Sequence, residues 1–516
     1  MKIERTKNTI NGFFWGATGK IVNTILPFLL RTVLIYKLGV EYLGLSSLFA
    51  SILQVLSLSE LGFSYACVYA MYKPIAEDDY ETVGSILAYL KKIYSMIGTG
   101  LIIMGCLFVP FLKQIIHGNV PADVNIYVLY FVYLINSALS YFFFAYKASL
   151  LNAMQCNDII SKVALVTNTA LRVLQCIVLF TFPNYYAYVI LIPLMTLVNN
   201  VIKSEIVNKR FGKYTIESEI KENVRQDIKK RIVPLLGVKI STVLLNAADT
   251  LVISAYLGLT ETALYNNYYF LMTSVQSIIF EVYSSMIGGV GNSLVVDDHN
   301  TIVNRFEMLN FINMWLTILC TVCLACLYQP FMRIWAGATN MLPFGMVVLF
   351  CVYYYVTAIE RIVVVYKDAA GVWKEDMCRC YLGCIMNIGL NLLLVRYIGL
   401  YGVIGSSVLV GLFIDPWMGR TVHKKILKSS SKKFYFGLLK SFFVCGFCSF
   451  ICIMLCRNIT ENWLGLICRG GICFVVTNLL LLILYHRYSQ YQSAKQWIWR
   501  VVQNTFSYRR NYNTQE

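Results

Sequence analysis

Fourteen apolar runs, each long enough to cross a bilayer, constrain this chain more than any other feature. A hydrocarbon core about 30 Å thick takes a helix of about 20 residues. Windows of that size fall near 14–36, 42–70, 93–116, 124–150, 160–182, 185–202, 233–257, 263–290, 307–329, 341–366, 379–398, 401–422, 435–456 and 463–486. Two of them are interrupted: 42–70 carries Glu60, and 401–422 carries Asp415 and Pro416. Across 516 residues, 58% are hydrophobic and 14% are charged, where a soluble domain has about 25% charged. A soluble core cannot absorb that much apolar surface. These numbers exclude a soluble enzyme, a nucleic-acid-binding protein and a disordered chain. The expectation is an all-α integral membrane protein with about 14 transmembrane helices.

The formal net charge is +17. In a membrane protein, Lys and Arg gather in cytoplasmic loops. With the N-terminus inside, the inner segments hold about 32 of the 44 Lys and Arg. The outer segments hold about six: Lys37, Lys113, Arg333, Arg396, Arg457 and Arg469. Both termini are therefore expected on the cytoplasmic side, as an even number of spans requires. The start, MKIERTKNTINGFF, shows no short apolar core before a small-residue cleavage site, so the first span is expected to act as its own signal anchor.

Spans one and seven align without gaps at an offset of 219. Lys20 falls on Lys239, Ile21 on Ile240, Val33 on Val252, Leu38 on Leu257, Gly39 on Gly258 and Leu45 on Leu264. Six helices separate the copies, so the repeat is parallel, about an axis along the membrane normal. The expected organisation is an N-terminal lobe over 1–202, a cytoplasmic linker over 203–232, and a C-terminal lobe over 233–422. Two extra spans over 435–486 and a basic cytoplasmic tail over 487–516 complete it. In the linker, Ile216, Ile220, Val224, Ile228 and Ile232 recur every four residues. That is one helix face, suited to lying on an anionic leaflet or to a plain solvated linker.

Charges inside a bilayer cost several kcal/mol, so they face a cavity or a partner. Arg31, Arg172 and Asp249 are best explained by a cavity. Lys20 and Arg31, eleven residues apart, share a helix face. Lys239 and Asp249 lie about 80° apart. Lys20 and Lys440 can instead snorkel to headgroups, and Glu360 and Arg361 can form structural pairs with neighbours. A cavity lined this way would attract an anion such as a pyrophosphate. The candidate substrate-binding residues are Lys20, Arg31, Arg172 and Lys239, and the candidate ion-coupling residues are Asp249 and Glu281.

Gly16-Ala17-Thr18-Gly19-Lys20 ends like a phosphate loop but lacks its first glycine and its Ser/Thr. Cys320, Cys323 and Cys326 read as a small-residue stripe on a helix face. The four His make no metal spacing. No cofactor is expected. Outer loops of ten residues or fewer leave no room for the acceptor of a sugar transferase or ligase.

At this point the chain resembles the polysaccharide flippase branch of the multidrug/oligosaccharidyl-lipid/polysaccharide exporter superfamily. The resemblance is carried by Leu38-Gly39-Val40-Glu41-Tyr42-Leu43-Gly44-Leu45 and by Leu56-Ser57-Leu58-Ser59-Glu60-Leu61-Gly62. It continues through Asp249-Thr250-Leu251-Val252-Ile253-Ser254, Leu257-Gly258, Gly291-Asn292-Ser293-Leu294, Pro330-Phe331, Ile334-Trp335 and Lys367-Asp368-Ala369-Ala370-Gly371. Asn387, Asn391, Gly399, Gly402 and Gly405 complete it. It implies two six-helix lobes around a central cavity bordered by helices one and seven. It also implies a transporter, not an enzyme, that moves polyprenyl-diphosphate-linked oligosaccharide from the inner to the outer leaflet of a bacterial cytoplasmic membrane. Alternating access, coupled to an ion gradient, is the implied mechanism. The implied partners are the lipid-linked sugar, membrane lipids and polysaccharide polymerase machinery, around a monomer and without nucleic acid. The alternatives are a multidrug–cation antiporter, a lipid II flippase on the same fold, and a membrane-embedded polymerase or ligase.

Overall fold

The computed structural model describes residues 22, 25–56, 63–117, 120–214, 219–372, 374–497 and 499, and these contain helices and turns without a strand. The first helices are α1 (25–37), α2 (Val40–Leu56), α3 (Phe63–Ala76), α4 (Tyr80–Phe108), α5 (Leu112–Ile115), α6 (Ile126–Phe142) and α7 (Ala145–Ala153). Next come α8 (Asn157–Thr181), α9 (Tyr185–Phe211), α10 (Glu222–Tyr256), α11 (Leu259–Ser285), α12 (Ile287–Val296) and α13 (His299–Ala336). The rest are α14 (Phe344–Ile359), α15 (Arg361–Ala369), α16 (Lys374–Ile398), α17 (Leu400–Phe413), α18 (Pro416–Lys425), α19 (Ser431–Cys456) and α20 (Trp463–Tyr485).

Among the described residues, ten helical stretches are long and apolar enough to cross a bilayer, and eleven if α6 and α7, bent by 48°, form one span. Fourteen were expected. The second and seventh windows fall on shorter apolar helices, Val40–Leu56 and Ile240–Tyr256. The first window lies partly outside the described residues, and 25–36 of it is helical. Residues 203–232 are divided between the end of α9 and the start of α10. On their apolar face Ile228 is fully buried and Ile220 and Val224 pack against the same core, while Ile216 and the Ile232 side chain lie outside the described residues.

Two compact units result, one within 1–267 and 380–403, the other within 268–379 and 404–516. In the first, Leu45, Leu48, Phe49, Leu129 and Tyr130 are buried together. Gly44 is required there because a Cβ would lie 2.3 Å from the Leu259 carbonyl oxygen, a close helix approach that only a small residue permits. In the second, α13 supplies Ile318 and Val322, and α14–α15 supply Ile359, Ile362 and Val363. Helix α19 shows why cysteine is frequent here. Cys445, Cys448, Cys452 and Cys456 are buried on one stripe, while Phe443, Phe447, Phe450 and Met454 are exposed on the other. Small thiols let helices approach, and large apolar side chains meet lipid.

The repeat is visible in the backbone. Gly39 (φ 125°) and Gly258 (φ 98°) both adopt the left-handed region. Gly39 N donates to Leu34 O at 3.2 Å and Gly258 N to Ile253 O at 3.1 Å. Donor and acceptor are each offset by 219, so the two copies stop their helices with the same glycine cap.

An ionic network closes the ends of α15, α16 and α17 in the second unit. Arg379 bridges Asp376 and Asp415, and Lys367 Nζ lies 2.8 Å from Asp376. The interruption at Asp415-Pro416 is thus a helix junction held by Arg379. Arg361 pairs with neighbours as expected, though with a ring and a hydroxyl and not with an acid, and Glu360 meets the Tyr435 hydroxyl from α19. Glu360, at the α14–α15 break, is 7% exposed, and its Oε2 has no hydrogen-bond partner among the described residues. Arg361 stacks over the Phe280 ring at 4.1 Å and donates to the Ser284 hydroxyl.

Outside the spans, Asp298 caps α13. Its side chain accepts from Thr301 N at 3.1 Å and from the Thr301 hydroxyl at 2.5 Å. Those hydrogen bonds hold its carboxyl below the usual 3.8. A depressed folded value means that the cap's contribution is present above pH 3.8 and lost as pH falls through the folded value. Amide protection in the first turn of α13, measured relative to the intrinsic exchange rate at each pH, should therefore fall in acid for the wild type, and Asp298→Asn, which still caps, should remove that step. Gly44→Val should lower stability by about 1–3 kcal/mol through overpacking, read as a lower unfolding midpoint in detergent. Gly100, with open space around it, should tolerate Ala with no loss.

Candidate substrate and ion site

Two polar centres lie inside the first unit. The first is basic. Arg31 on α1 donates to the Asn266 carbonyl at 3.2 Å and to Asn267 Oδ1 at 3.3 Å. Arg172 on α8 donates to Gln175 Oε1 at 3.2 Å, and Gln175 is held in turn by the Tyr188 carbonyl. The two guanidinium groups interact electrostatically with each other and with Tyr188 on α9. Behind them runs a hydroxyl chain. Tyr133 donates to Ser46, Ser46 pairs with Tyr185 at 2.6 Å, and Tyr185 donates to the Tyr42 carbonyl. Tyr185 and Tyr188 stack with ring centroids 5.8 Å apart. A cavity of about 320 Å³ opens beside Arg172, walled by Leu26, Leu29, Val173, Ile177 and Phe180. Planar guanidiniums with phenol donors suit a multiply charged oxyanion.

The second centre is acidic. Asp249, on α10, is 6% exposed. Its Oδ2 accepts from the Tyr265 hydroxyl at 2.8 Å and its Oδ1 from Asn391 Nδ2 at 2.7 Å. Asn391 also donates to Asn387 Oδ1 at 3.2 Å, one turn earlier on α16. One carboxylate among amide and phenol oxygens offers hard oxygen ligands. Among the described residues no group of three or more His, Cys, Asp or Glu could hold a metal ion.

The structure therefore brings Arg31 and Arg172 together and buries Asp249. Lys20 lies outside the described residues, and Lys239 falls on α10 with its side chain outside them. Glu281 is exposed on the part of α11 that belongs to the second unit.

Sequence reasoning missed two lysines inside the fold, Lys147, which is buried, and Lys367, which is half-buried. Lys147 on α7 donates to the Ser204 hydroxyl at 3.0 Å and Asn208 Oδ1 at 2.6 Å. It follows the α6–α7 bend, where Phe144 takes a left-handed φ of 61°. Lys367 sits in the equivalent short helix after the α14 break. The signal was the dipeptide Tyr146-Lys147 recurring as Tyr366-Lys367, one residue off the repeat offset. The tyrosines of the basic centre gave no signal, because Tyr is frequent throughout the chain.

The family described as polysaccharide biosynthesis protein matches residues 9–287. No curated protein matches the sequence. Among solved structures, the chain is similar to the lipid II flippase MurJ in an inward closed conformation. The TM-score is 0.67 at 14% identity, over 93% of this chain and 99% of that one. It is also similar to an inward-facing multidrug resistance MATE family transporter of the MOP superfamily, with a TM-score of 0.60 at 14% identity, over 79% and 96%. A MOP superfamily transporter from Pyrococcus furiosus gives 0.54 at 13% identity, over 82% and 97%. The protein is thus a multi-pass membrane protein with the fold of MOP superfamily transporters, and it belongs to the polysaccharide biosynthesis protein family.

Proposed function

We propose that this protein is a flippase for polyprenyl-diphosphate-linked oligosaccharide repeat units, moving them from the inner to the outer leaflet of a bacterial cytoplasmic membrane for surface polysaccharide synthesis. The observation that carries this reading is the pair Arg31 and Arg172, near enough to interact electrostatically with each other and with Tyr188, with a cavity beside Arg172. Two guanidiniums at one place repel a cationic drug and attract a diphosphate, which disfavours a multidrug–cation antiporter. The family description, polysaccharide biosynthesis protein, favours a sugar-bearing lipid. The similarity to a lipid II flippase keeps that cargo as the second reading, since it offers the same diphosphate. Both termini face the cytoplasm in this scheme, following the distribution of Lys and Arg.

Asp249 is the coupling residue in this proposal. A carboxylate that shares its oxygens with Tyr265 and Asn391 can take a proton or a monovalent cation and release it when α10, α11 and α16 rearrange. Ion binding and cargo binding would then bias the same unit between two states.

In proteoliposomes with a polyprenyl-diphosphate oligosaccharide, Arg31→Ala and Arg172→Ala should each slow leaflet transfer about 10–100-fold, the loss of a charged hydrogen bond worth about 1.5–3 kcal/mol. Arg172→Lys should fall between, having lost the planar fork. Unchanged transfer in correctly folded variants would make the arginines structural. Asp249→Asn should leave cargo binding within about threefold but abolish the response of transport to an imposed sodium or proton gradient. A gradient response that survives this substitution would move the coupling elsewhere.

A further inference from the structure

The second unit carries a groove of about 540 Å³ where the α17–α18 junction meets the start of α19. Its floor is apolar. Leu412 and Phe413 from α17 and Phe436 and Leu439 from α19 line it, and all four are exposed. Its rim is basic, formed by Arg420 of α18 and Lys432 of α19, both exposed. Among the described residues neither of these cations has an ion pair.

The groove is shaped by specific packing. The Tyr435 hydroxyl donates to the Pro416 carbonyl at 2.8 Å, tying α19 to the helix junction. Gly419 lies against that hydroxyl so closely that a Cβ would stand 1.9 Å from it. A larger residue at 419 would push α19 away and change the wall.

We propose that this groove binds an anionic phospholipid of the surrounding bilayer, its phosphate between Arg420 and Lys432 and its acyl chains along Phe413, Phe436 and Leu439. Three features select this occupant. The helices forming the floor belong to membrane-capable stretches, Leu400–Lys425 and Ser431–Cys456, so acyl chains are already adjacent. The basic rim lies toward the ends of those stretches, Arg420 in the last turns of the one and Lys432 in the first turn of the other. Lys and Arg near a bilayer surface attract anionic headgroups, and a phosphodiester complements two cations that have no ion pair among the described residues. The site is separate from the basic centre of the first unit and does not depend on the cargo proposed above.

The test reads lipid binding rather than transport. Full-length protein in detergent is titrated with phosphatidylglycerol, phosphatidylcholine or inorganic phosphate, and bound lipid is counted by native mass spectrometry alongside the unfolding midpoint. Phosphatidylglycerol is expected to bind and raise the midpoint, while phosphatidylcholine and inorganic phosphate do neither. Arg420→Gln with Lys432→Gln should weaken phosphatidylglycerol binding at least about tenfold. Lys428→Gln with Lys433→Gln, the same charge change on neighbouring exposed residues, should leave it within about twofold. All four positions are exposed, so folding is retained, and the unliganded midpoint checks this. Gly419→Ala, which alters the wall and no charge, should also weaken binding. Equal losses in both glutamine pairs, equal binding of phosphatidylcholine, or stabilisation by inorganic phosphate alone would each overturn the proposal.

Discussion

A peptide group in hydrocarbon has no water to bond, so every departure from a helix inside this protein must be absorbed by something nearby. The breaks follow that constraint closely. At Gly39 and Gly258 the freed amide returns to the carbonyl five residues back. At the α6–α7 bend, the Lys147 amide bonds the Phe144 carbonyl. Between α17 and α18, proline needs no amide partner, and the neighbouring amides of Trp417 and Met418 reach the carbonyls of Ile414 and Asp415. Breaks are therefore tolerated where local geometry closes them, and charged side chains collect there because the same junctions offer polar neighbours.

Charge placement obeys the same logic on a larger scale. Helix α16 contributes to both units. Its first residues, Asp376 and Arg379, join the ionic network of the second. Farther along, Asn387 and Asn391 hydrogen-bond around Asp249 of the first. A polar face that would be costly against lipid is satisfied at two places by different partners. In the interior of the first unit amide oxygens do comparable work, with Arg31 held by the Asn266 carbonyl and Asn267 Oδ1 and Arg172 by Gln175 Oε1.

Much of this was legible in the sequence. Apolar periodicity announced the helices, and the 219-residue offset anticipated a shared glycine cap. Arg31, Arg172 and Asp249 stood out because a charge in a long apolar run is costly and rarely accidental. Other features were hidden by their chemistry. The break at Glu360 followed a run of apolar residues without proline or glycine, so nothing local marked it. The isoleucine face at 220–228 has a period that fits a membrane surface and a protein core equally well, and only tertiary contact decides between them. Tyr133 belongs to α6 and Tyr185 and Tyr188 to α9, and no linear spacing could join them to Arg172 on α8.

Lys147 and Lys367 occupy matching places in two short helices that follow matching breaks, yet their surroundings have diverged. The first is met by a serine and an asparagine, the second by two aspartates. If both halves descend from one duplicated segment, the substitutions that mattered were made around the lysines and not at them. The protein kept the cation twice and changed its counter-charge once. Its two halves have thereby ceased to be interchangeable, and a pseudosymmetric scaffold has acquired an intrinsic polarity from a handful of neighbouring side chains.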